Sequence, residues 1–248
     1  MRHIVIDTET TGMDPKTDRV VEVAALERLP SGDVIWDQQL CDPARDIPPE
    51  ARAVHHIGPE DVAGCPTPQE GVDCVMESLA RRHLGMSAET MCDQTVMVAH
   101  NAEFDKGFLP SLIEMPWICT WRCSLHIWPE APGHGNQVLR YFLGLDVGFP
   151  IAGLYPHRAL YDVCVTEALL QRMLQIHTSE ELVEMTARPA VLSTVRFGKY
   201  KGMKWADVPL DYLQWCLRQS DMDQDVRHPN YTALRGEQND QKRLARTV

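Results

Sequence analysis

Two carboxylates lie one residue apart at the end of a short apolar run near the N-terminus. The run is Ile4–Ile6, and Asp7 and Glu9 follow it. Because residues two apart on a β-strand project from the same side, both carboxylates point in one direction. Neighbouring carboxylates repel each other unless a cation or a proton lies between them. The pair therefore predicts a metal site, although a solvent-exposed strand end is the commoner explanation for these two residues alone.

A second acidic position follows an apolar run in the middle of the chain. The run, Thr95–His100, predicts a buried strand, and the residues from 102 to about 113 predict a helix with Asn101 as its N-cap. Asp105 falls in the first turns of this helix. The helix dipole alone also explains an acid at this place, because it favours negative charge near a helix N-terminus.

A histidine and a further acid lie late in the chain. His157 precedes Asp162 by five residues at the start of the longest helical stretch, 157–177. On a continuous helix, residues five apart are separated by about 140° around the axis, so the two side chains would diverge. We therefore predict that His157 lies on a loop before the helix and turns toward the site that Asp162 faces. A surface histidine at a helix start is the alternative.

The elements that must position these side chains are five predicted strands and several helices. The strands are His3–Asp7, Arg19–Leu29, Val34–Leu40, Thr95–His100 and Trp117–Thr120. Helices are predicted over 69–84, 102–113, 137–143, 157–177 and 179–185, with short helical turns at 49–54 and 59–63. The first three strands have short connections, which favour antiparallel pairing.

In this order, the three acidic segments resemble the DEDDh exonuclease superfamily, which includes proofreading exonuclease subunits and ribonuclease T. The matching segments read DTETTG at 7–12, HNAEFD at 100–105 and HRALYD at 157–162. The segment 53–57, AVHHI, also resembles the family's IHxI element beside the bound 3′ nucleotide. The resemblance covers about the first 180 residues. It implies an α/β, ribonuclease H-like fold: a mixed five-stranded sheet with helices on both faces.

The resemblance also implies a metal-dependent mechanism. Four carboxylates would hold two divalent cations, Mg²⁺ or Mn²⁺: Asp7, Glu9, Asp105 and Asp162. Oxygen ligands of this kind suit hard cations, and a pair of them can stabilise an in-line displacement at phosphorus. His157 would accept the proton of the attacking water. The implied substrate contacts are Thr8, Thr10, Gly12, Met13, His55 and Phe104, with Phe104 equally well explained as a core residue.

The implied function is a 3′→5′ exonuclease that hydrolyses DNA to 5′-mononucleotides and acts in DNA repair. DNA 3′ ends, single-stranded and duplex, are the expected partners. An exoribonuclease of the ribonuclease T kind is the first alternative, because no motif senses the 2′-hydroxyl. A non-catalytic module that docks on nucleic acid or a polymerase is the second, and retention of all four acids disfavours it. A homodimer is left open, since several superfamily members are dimers.

Composition limits the class of protein. The 248 residues carry a formal net charge of −11, which argues against a nonspecific nucleic-acid coat protein but not against a carboxylate metal enzyme. No apolar run approaches the roughly 20 residues that span a bilayer, and we expect no membrane association and a cytoplasmic location. The eight cysteines form no CxxC pair. Cys119, Cys123 and His126 make a loose cluster that lacks a fourth zinc ligand.

The chain divides by composition into three predicted parts. Residues 1–180 form the exonuclease domain, 189–220 a small module of uncertain role, and 221–248 a polar, weakly ordered tail. The module interleaves basic and aromatic residues: Arg196, Phe197, Lys199, Tyr200, Lys201, Lys204 and Trp205. This pattern is typical of nucleic-acid contact, and aromatic core residues in a small fold are the alternative.

Overall fold

A computed structural model describes residues 1–83, 95–148, 153–190, 194–195, 197–219 and 226. Its five strands are β1 Arg2–Thr10, β2 Val20–Arg28, β3 Val34–Leu40, β4 Thr95–Ala99 and β5 Trp117–Cys119. They form one sheet in the order β3-β2-β1-β4-β5. The β1–β2 and β2–β3 pairs are antiparallel, whereas β1–β4 and β4–β5 are parallel. The predicted mixed sheet is confirmed.

The helices of the described residues follow in chain order. They are α1 Pro49–His55, α2 Pro59–Val62, α3 Pro68–Ala80, α4 Ala102–Phe108, α5 Thr120–Ile127, α6 Asn136–Phe142, α7 Ala159–Leu174, α8 Ser179–Ala187 and α9 Leu210–Arg218. Thr67 caps α3, where its hydroxyl accepts a hydrogen bond from the Glu70 amide while the Glu70 carboxylate accepts one from the Thr67 amide.

Side-chain alternation along β1 separates its apolar residues from its acids. Ile4 and Ile6 point to the face that α3 covers, and they share one buried core with Val72, Val75 and Leu79 of that helix. Asp7 and Glu9 point to the opposite face, because side chains one residue apart on a strand leave opposite sides. Helix α7 packs on β1 and β2. The sheet therefore carries helices on both faces, as predicted.

Two partly buried ion pairs join α7 to β2. Arg158, just before the helix, donates to both carboxylate oxygens of Glu22, at 3.0 and 2.5 Å. Arg28 donates to both oxygens of Glu167, within the helix, at 2.6 and 2.8 Å. Bidentate pairs of this kind fix orientation as well as distance. They fix the position of α7 relative to β2.

Several predicted boundaries are wrong. Strand β1 continues to Thr10 because β2 pairs with it along that length. Helix α4 ends at Phe108, six residues after it starts, and a 3₁₀ turn follows at Pro110–Leu112. Asn101 occupies the predicted N-cap position, but it adopts a left-handed conformation, with φ of 71°, and its side chain makes no capping hydrogen bond.

Helix α5 has no counterpart among the predictions. Its sequence, TWRCSLHI, buries the polar residues Thr120, Arg122 and Ser124. These polar residues interrupt the apolar stripe by which a sequence reveals a helix.

The chain divides into two compact units. The first comprises Met1–Cys123 and Ala131–Thr186, and the second comprises Ser124–Glu130 and Ala187–Val248. The break after Thr186 falls between the predicted domain limits of 180 and 189, whereas the grouping of 124–130 with the second unit is not predicted. The predicted tail, 221–248, lies outside the described residues except for Val226.

Candidate active site

The paired acids Asp7 and Glu9 sit within β1 rather than beyond it. Asp7 lies opposite Ala24 of β2, and Glu9 lies opposite Glu22. The register shifts between Glu9 and Thr10, so the strand is irregular directly after the second acid. Bulges of this kind re-aim side chains and end pairing at functional edges. The sheet thus presents both carboxylates where β1 ends.

Asp105 reaches the same region from α4. Its side chain is only 2% exposed, and its Oδ1 accepts a hydrogen bond of 2.9 Å from the Thr8 hydroxyl. The side chain of Thr8 leaves β1 on the side opposite to those of Asp7 and Glu9. The same strand therefore supplies two acids and also the hydroxyl that binds a third acid, Asp105. Thr8 therefore positions a carboxylate, a role that the sequence does not reveal.

His157 and Asp162 are held together at the start of α7. His157 lies two residues before the helix with φ of 63°, and its backbone amide donates to Asp162 Oδ2 at 2.7 Å. The imidazole is exposed to solvent. Among the described residues, one group of three has ligand atoms that all lie within 4.8 Å of one another: Glu9, His157 and Asp162. The loop thus brings the ring back to the acids, which a continuous helix would prevent.

Burial raises the pKa of all four acids, and repulsion by neighbouring carboxylates adds to this at Asp7 and Glu9. Burial, followed by the charges of Asp105 and Asp162, holds the pKa of Asp7 well above its ordinary range. Burial and the charge of Asp162 raise the pKa of Glu9 to about 8. Burial likewise raises the pKa of Asp105 to about 7, against the lowering effect of the Thr8 hydroxyl, and raises that of Asp162. Four oxygen donors that resist ionisation together are a donor set that fits hard divalent cations.

Two further residues organise this site. Glu22 is 1% exposed and, besides binding Arg158, accepts a hydrogen bond of 2.9 Å from the backbone amide of Ala159, the first residue of α7. Asn136 Nδ2 donates to the carbonyl of Asp162 at 3.2 Å and to its Oδ1 at 3.4 Å. Neither residue belongs to a motif in the sequence. The cross-strand position of Glu22 opposite Glu9 becomes visible only with the register of β1 and β2.

A pocket of about 260 Å³ adjoins the acids. It is lined by all six residues predicted to contact substrate, together with Glu9, Thr11, Glu50, Ala51 and Val54. Met13 is 77% exposed at its rim, and Phe104 is only half-buried, so Phe104 is not a core residue. The side chain of His55 is buried, its Nδ1 accepts from the Ile57 amide at 3.0 Å, and its Nε2 lies near the Thr10 carbonyl without a hydrogen bond of good geometry.

The rim of this pocket is a braced loop. The Thr10 hydroxyl donates to the Gly12 carbonyl at 2.6 Å, and Asp18 accepts hydrogen bonds from the Thr11 hydroxyl and the Asp14 amide, both at 3.0 Å. A Cβ atom at Gly12 would lie 2.5 Å from Asp18 Oδ2. Only glycine therefore fits at position 12 while the Asp18 carboxylate stays in place.

The loose cysteine cluster does not form a metal site in the described part of the chain. Cys119 and Cys123 are buried free thiols, and the group of three potential ligands found there contains neither. Burial raises the pKa of Cys123 to about 12, so it behaves as a small apolar side chain. No helix among the described residues is both long and apolar enough to cross a bilayer.

Comparison with known proteins identifies relatives over most of the chain. The exonuclease family of the ribonuclease T type matches residues 4–170. Exodeoxyribonuclease 10 of Escherichia coli K12 is 34% identical over 224 residues, which cover 88% of this chain and 91% of that protein. Ribonuclease T of Klebsiella pneumoniae is 31% identical over 186 residues, which cover 67% of this chain and 81% of that one.

A solved structure shares the fold. Exonuclease X in complex with 5′ overhanging duplex DNA is 33% identical, with a TM-score of 0.56, and the match covers 74% of this chain and 99% of that chain. The order of an exonuclease domain followed by the FGKYKG segment at 197–202 also predicts a closer likeness to bacterial exodeoxyribonuclease X. The comparisons confirm that likeness, the DEDDh superfamily and the ribonuclease H-like fold.

Proposed function

Because the chain belongs to the exonuclease family of the ribonuclease T type and is a 3′→5′ exonuclease, we propose that it acts on DNA. It would release 5′-mononucleotides from DNA 3′ ends in DNA repair. The observation that carries the proposal is the cluster of four acids, one of which, Glu9, lines the 260 Å³ pocket. The choice of DNA rests on the exodeoxyribonuclease that resembles this chain over 88% of its length.

The acids would hold the metal on which this family depends. We assign Asp7, Glu9, Asp105 and Asp162 as ligands of two divalent cations, Mg²⁺ or Mn²⁺. Divalent ions bound there stabilise charge at phosphorus and lower the pKa of a bound water. The Thr8 hydroxyl orients Asp105, and the His157 amide and Asn136 orient Asp162. These contacts fix the ligands before any cation binds.

His157 is assigned as the general base. Its ring lies within 4.8 Å of the carboxylate oxygens of Glu9 and Asp162, and it is exposed to solvent, so a proton taken from water can pass to bulk solvent. Imidazole is the side chain that most often serves as a general base. The loop geometry at His157 keeps the ring outside the helix and therefore beside the carboxylates.

The pocket is assigned to the 3′-terminal nucleoside. Phe104 and Met13 offer apolar surface to a base, and the braced loop at Thr10–Gly12 offers backbone groups. Base stacking on an aromatic ring contributes about 1–3 kcal/mol and tolerates any base, as an exonuclease requires. His55 contributes a buried ring nitrogen without a hydrogen bond of good geometry at the same pocket.

An end-labelled digestion series tests this function. Oligonucleotides labelled at the 5′ end, as single-stranded DNA, duplex DNA and RNA of one sequence, are incubated with Mg²⁺, with Mn²⁺ and with EDTA. We expect a ladder that shortens from the 3′ end, unlabelled 5′-mononucleotides among the products separated by chromatography, faster cleavage of DNA than RNA, and no cleavage in EDTA. Asp7→Asn should abolish cleavage while the fold is kept. Full activity of that variant contradicts the metal assignment.

RNA trimming is the second candidate, because ribonuclease T is 31% identical over 67% of this chain. A DNA strand with one ribonucleotide at its 3′ end separates the two functions. If the site is built for RNA, that single 2′-hydroxyl raises kcat/KM above the value for the all-DNA strand. If it is built for DNA, kcat/KM is unchanged or falls.

A further inference from the structure

The second compact unit carries a row of aromatic rings that the exonuclease function does not use. The family match ends at residue 170, so the larger segment of this unit, Ala187–Val248, lies beyond it. The Tyr200 and Tyr212 rings meet edge to face with centroids 4.8 Å apart, and Tyr212 stacks on Trp215 at 5.3 Å and 29°. Tyr212 and Trp215 are three residues apart on α9 and therefore share one side of that helix.

The side of α9 next to this row contributes to the core of the unit. Leu213 and Cys216 are buried there. Trp205 is also buried, and the half-buried Phe197 ring lies 6.3 Å from it. Of the three aromatic residues predicted to contact nucleic acid, Trp205 is thus a core residue. The structure adds Tyr212 and Trp215, which the interleaved pattern does not contain.

The aromatic row is solvent-accessible. Trp215 is 43% exposed, and Tyr200 and Tyr212 are half-buried. The Tyr212 hydroxyl would lie only 2.7 Å from a Cβ at Gly198, whose φ is 62°. The glycine turn therefore packs closely on Tyr212 and holds its ring in place. A row of rings that is fixed before binding loses little conformational entropy when a ligand stacks on it.

Three lysines lie in the segment that carries the Tyr200 end of this row. Lys199, Lys201 and Lys204 are exposed, and the Lys199 ammonium lies 5.2 Å from the centre of the Tyr200 ring. The described stretch 197–219 contains these three lysines and Arg218, but only two acids, Asp207 and Asp211. The whole chain, by contrast, carries a formal net charge of −11. A local basic surface on an acidic protein indicates a polyanionic partner.

We propose that the Tyr200–Tyr212–Trp215 row, flanked by Lys199, Lys201 and Lys204, is a second nucleic-acid site that binds single-stranded DNA. Successive unpaired bases stack on the rings, and the lysines neutralise the phosphates. Duplex bases are already stacked on each other, so the row selects single strands. The choice of DNA rests on the proposed function; the binding surface itself does not.

Binding in EDTA isolates this surface, because the metal-free acids of the first unit repel a polyanion. Fluorescence anisotropy of labelled dT20 is measured against the full-length protein over a range of salt concentrations. Trp215→Ala should raise Kd by about fivefold or more, and Trp215→Phe should keep most of the wild-type affinity. Replacing the three lysines by alanine should reduce the slope of log Kd against log salt by about 2.

Matched variants on the first unit control for generic effects. Tyr141→Ala removes a ring that is 74% exposed, and alanine at Arg81, Arg82 and Arg172 removes three exposed positive charges. Neither set should change the affinity for dT20. The proposal is overturned if these controls lose as much affinity as the variants of the row, or if Trp215→Ala binds dT20 as the wild type does. It is also overturned if rU20 binds more tightly than dT20, or if a blunt duplex binds as tightly as dT20. The Trp215→Phe and lysine variants keep it testable if Trp215→Ala unfolds.

A small substrate separates this inference from the proposed function. The p-nitrophenyl ester of thymidine 5′-phosphate occupies only a nuclease site, so module variants should hydrolyse it at the wild-type rate in Mg²⁺. If the wild type fails to hydrolyse the ester or dT20, the proposed exonuclease function is wrong, while the binding result in EDTA still decides the second site. If module variants lose ester hydrolysis along with binding, the surface is not a separate site.

Discussion

Glu9 holds its proton far more tightly than an ordinary glutamate, with a pKa near 8 against 4.5. Between these values the folded chain binds more protons than the unfolded chain, so the stability of the metal-free protein falls as pH rises. The same direction holds for Asp7, Asp105 and Asp162, whose pKa values are also raised. A divalent cation favours the ionised carboxylates and should remove this dependence.

We therefore expect Tm in EDTA to decrease from pH 5 to pH 8, and Mg²⁺ to raise Tm most at pH 8. Differential scanning fluorimetry at each pH, with and without Mg²⁺, measures both. Asp7→Asn removes one repelling charge, so its Tm in EDTA should decline less. A Tm in EDTA that rises over this range in the wild type, or that falls equally in the variant, would contradict the repulsion among the acids.

The imidazole of His157 permits a second test at this scale. His157→Ala should lower kcat by about 10²–10⁴-fold, the usual contribution of a general base, because no other described side chain of that type lies within the group at Glu9 and Asp162. Stabilisation by Mg²⁺ should persist, since the four acids remain. His177→Ala, in the last turn before α8, is the control and should keep wild-type turnover. Loss of Mg²⁺ stabilisation would instead make His157 a ligand.

At the scale of elements, α7 is fastened to β2 by two similar ion pairs with different consequences. The pair of Glu22 and Arg158 lies at the start of the helix, next to His157, whereas that of Arg28 and Glu167 lies further along. Both glutamates are buried, so the loss of either charge leaves an arginine without its partner. Only the first pair, however, lies at the start of α7, where the loop carries the base and the first turn of the helix carries the acid.

Glu22→Gln should therefore lower kcat by about 10–100-fold with little change in KM, because small displacements of catalytic groups cost rates of that order. Glu167→Gln should lower Tm comparably and leave kcat near wild type. Arg158→Lys should retain part of the rate, since it keeps the charge but loses the bidentate geometry. Steady-state kinetics on dT20 with Mg²⁺ checks all three. Equal kcat for the two glutamine variants would reduce Glu22 to a stabilising role.

What the sequence predicts well at this scale are the parts defined by local rules. β-branched runs indicate the strands, and the five-residue spacing of His157 and Asp162 places the histidine outside the helix. The role of Glu22 is not predicted from the sequence because it depends on the β1–β2 register, which places Glu22 opposite Glu9. Helix α5 escapes because its buried side chains include polar ones. Thr8 is assigned to substrate by resemblance, yet its hydroxyl binds Asp105.

At the scale of the whole molecule, we propose that an acidic chain acts on a polyanion through two surfaces of different character. One would consist of the carboxylates assigned as metal ligands, and the other of the lysines and aromatic rings of the second unit. The two lie in different compact units, Met1–Cys123 with Ala131–Thr186 and Ser124–Glu130 with Ala187–Val248. Chemistry and strand retention are thus assigned to separate parts of the chain.

Effects on the two surfaces should therefore multiply. Combining Glu22→Gln with alanine at Lys199, Lys201 and Lys204 should give a kcat loss equal to that of the first change and a KM increase equal to that of the second, since independent sites add in free energy. Single-turnover and steady-state measurements of the wild type, the two separate variants and the combined variant on dT20 at fixed salt complete this double-mutant cycle. A departure of more than about threefold from the product would show that the surfaces are coupled.

The pairing of Glu9 with Glu22 across β1 and β2 has a consequence for how the fold is completed. Two acids lie opposite each other in the sheet, and of this pair Glu22 forms an ion pair in the described part of the chain, with the guanidinium of Arg158. We propose that the counterpart of Glu9 is a divalent cation from solution. Divalent ions in the surroundings would then help to complete the sheet edge. A shortage of those ions would leave an idle enzyme that is also easier to degrade.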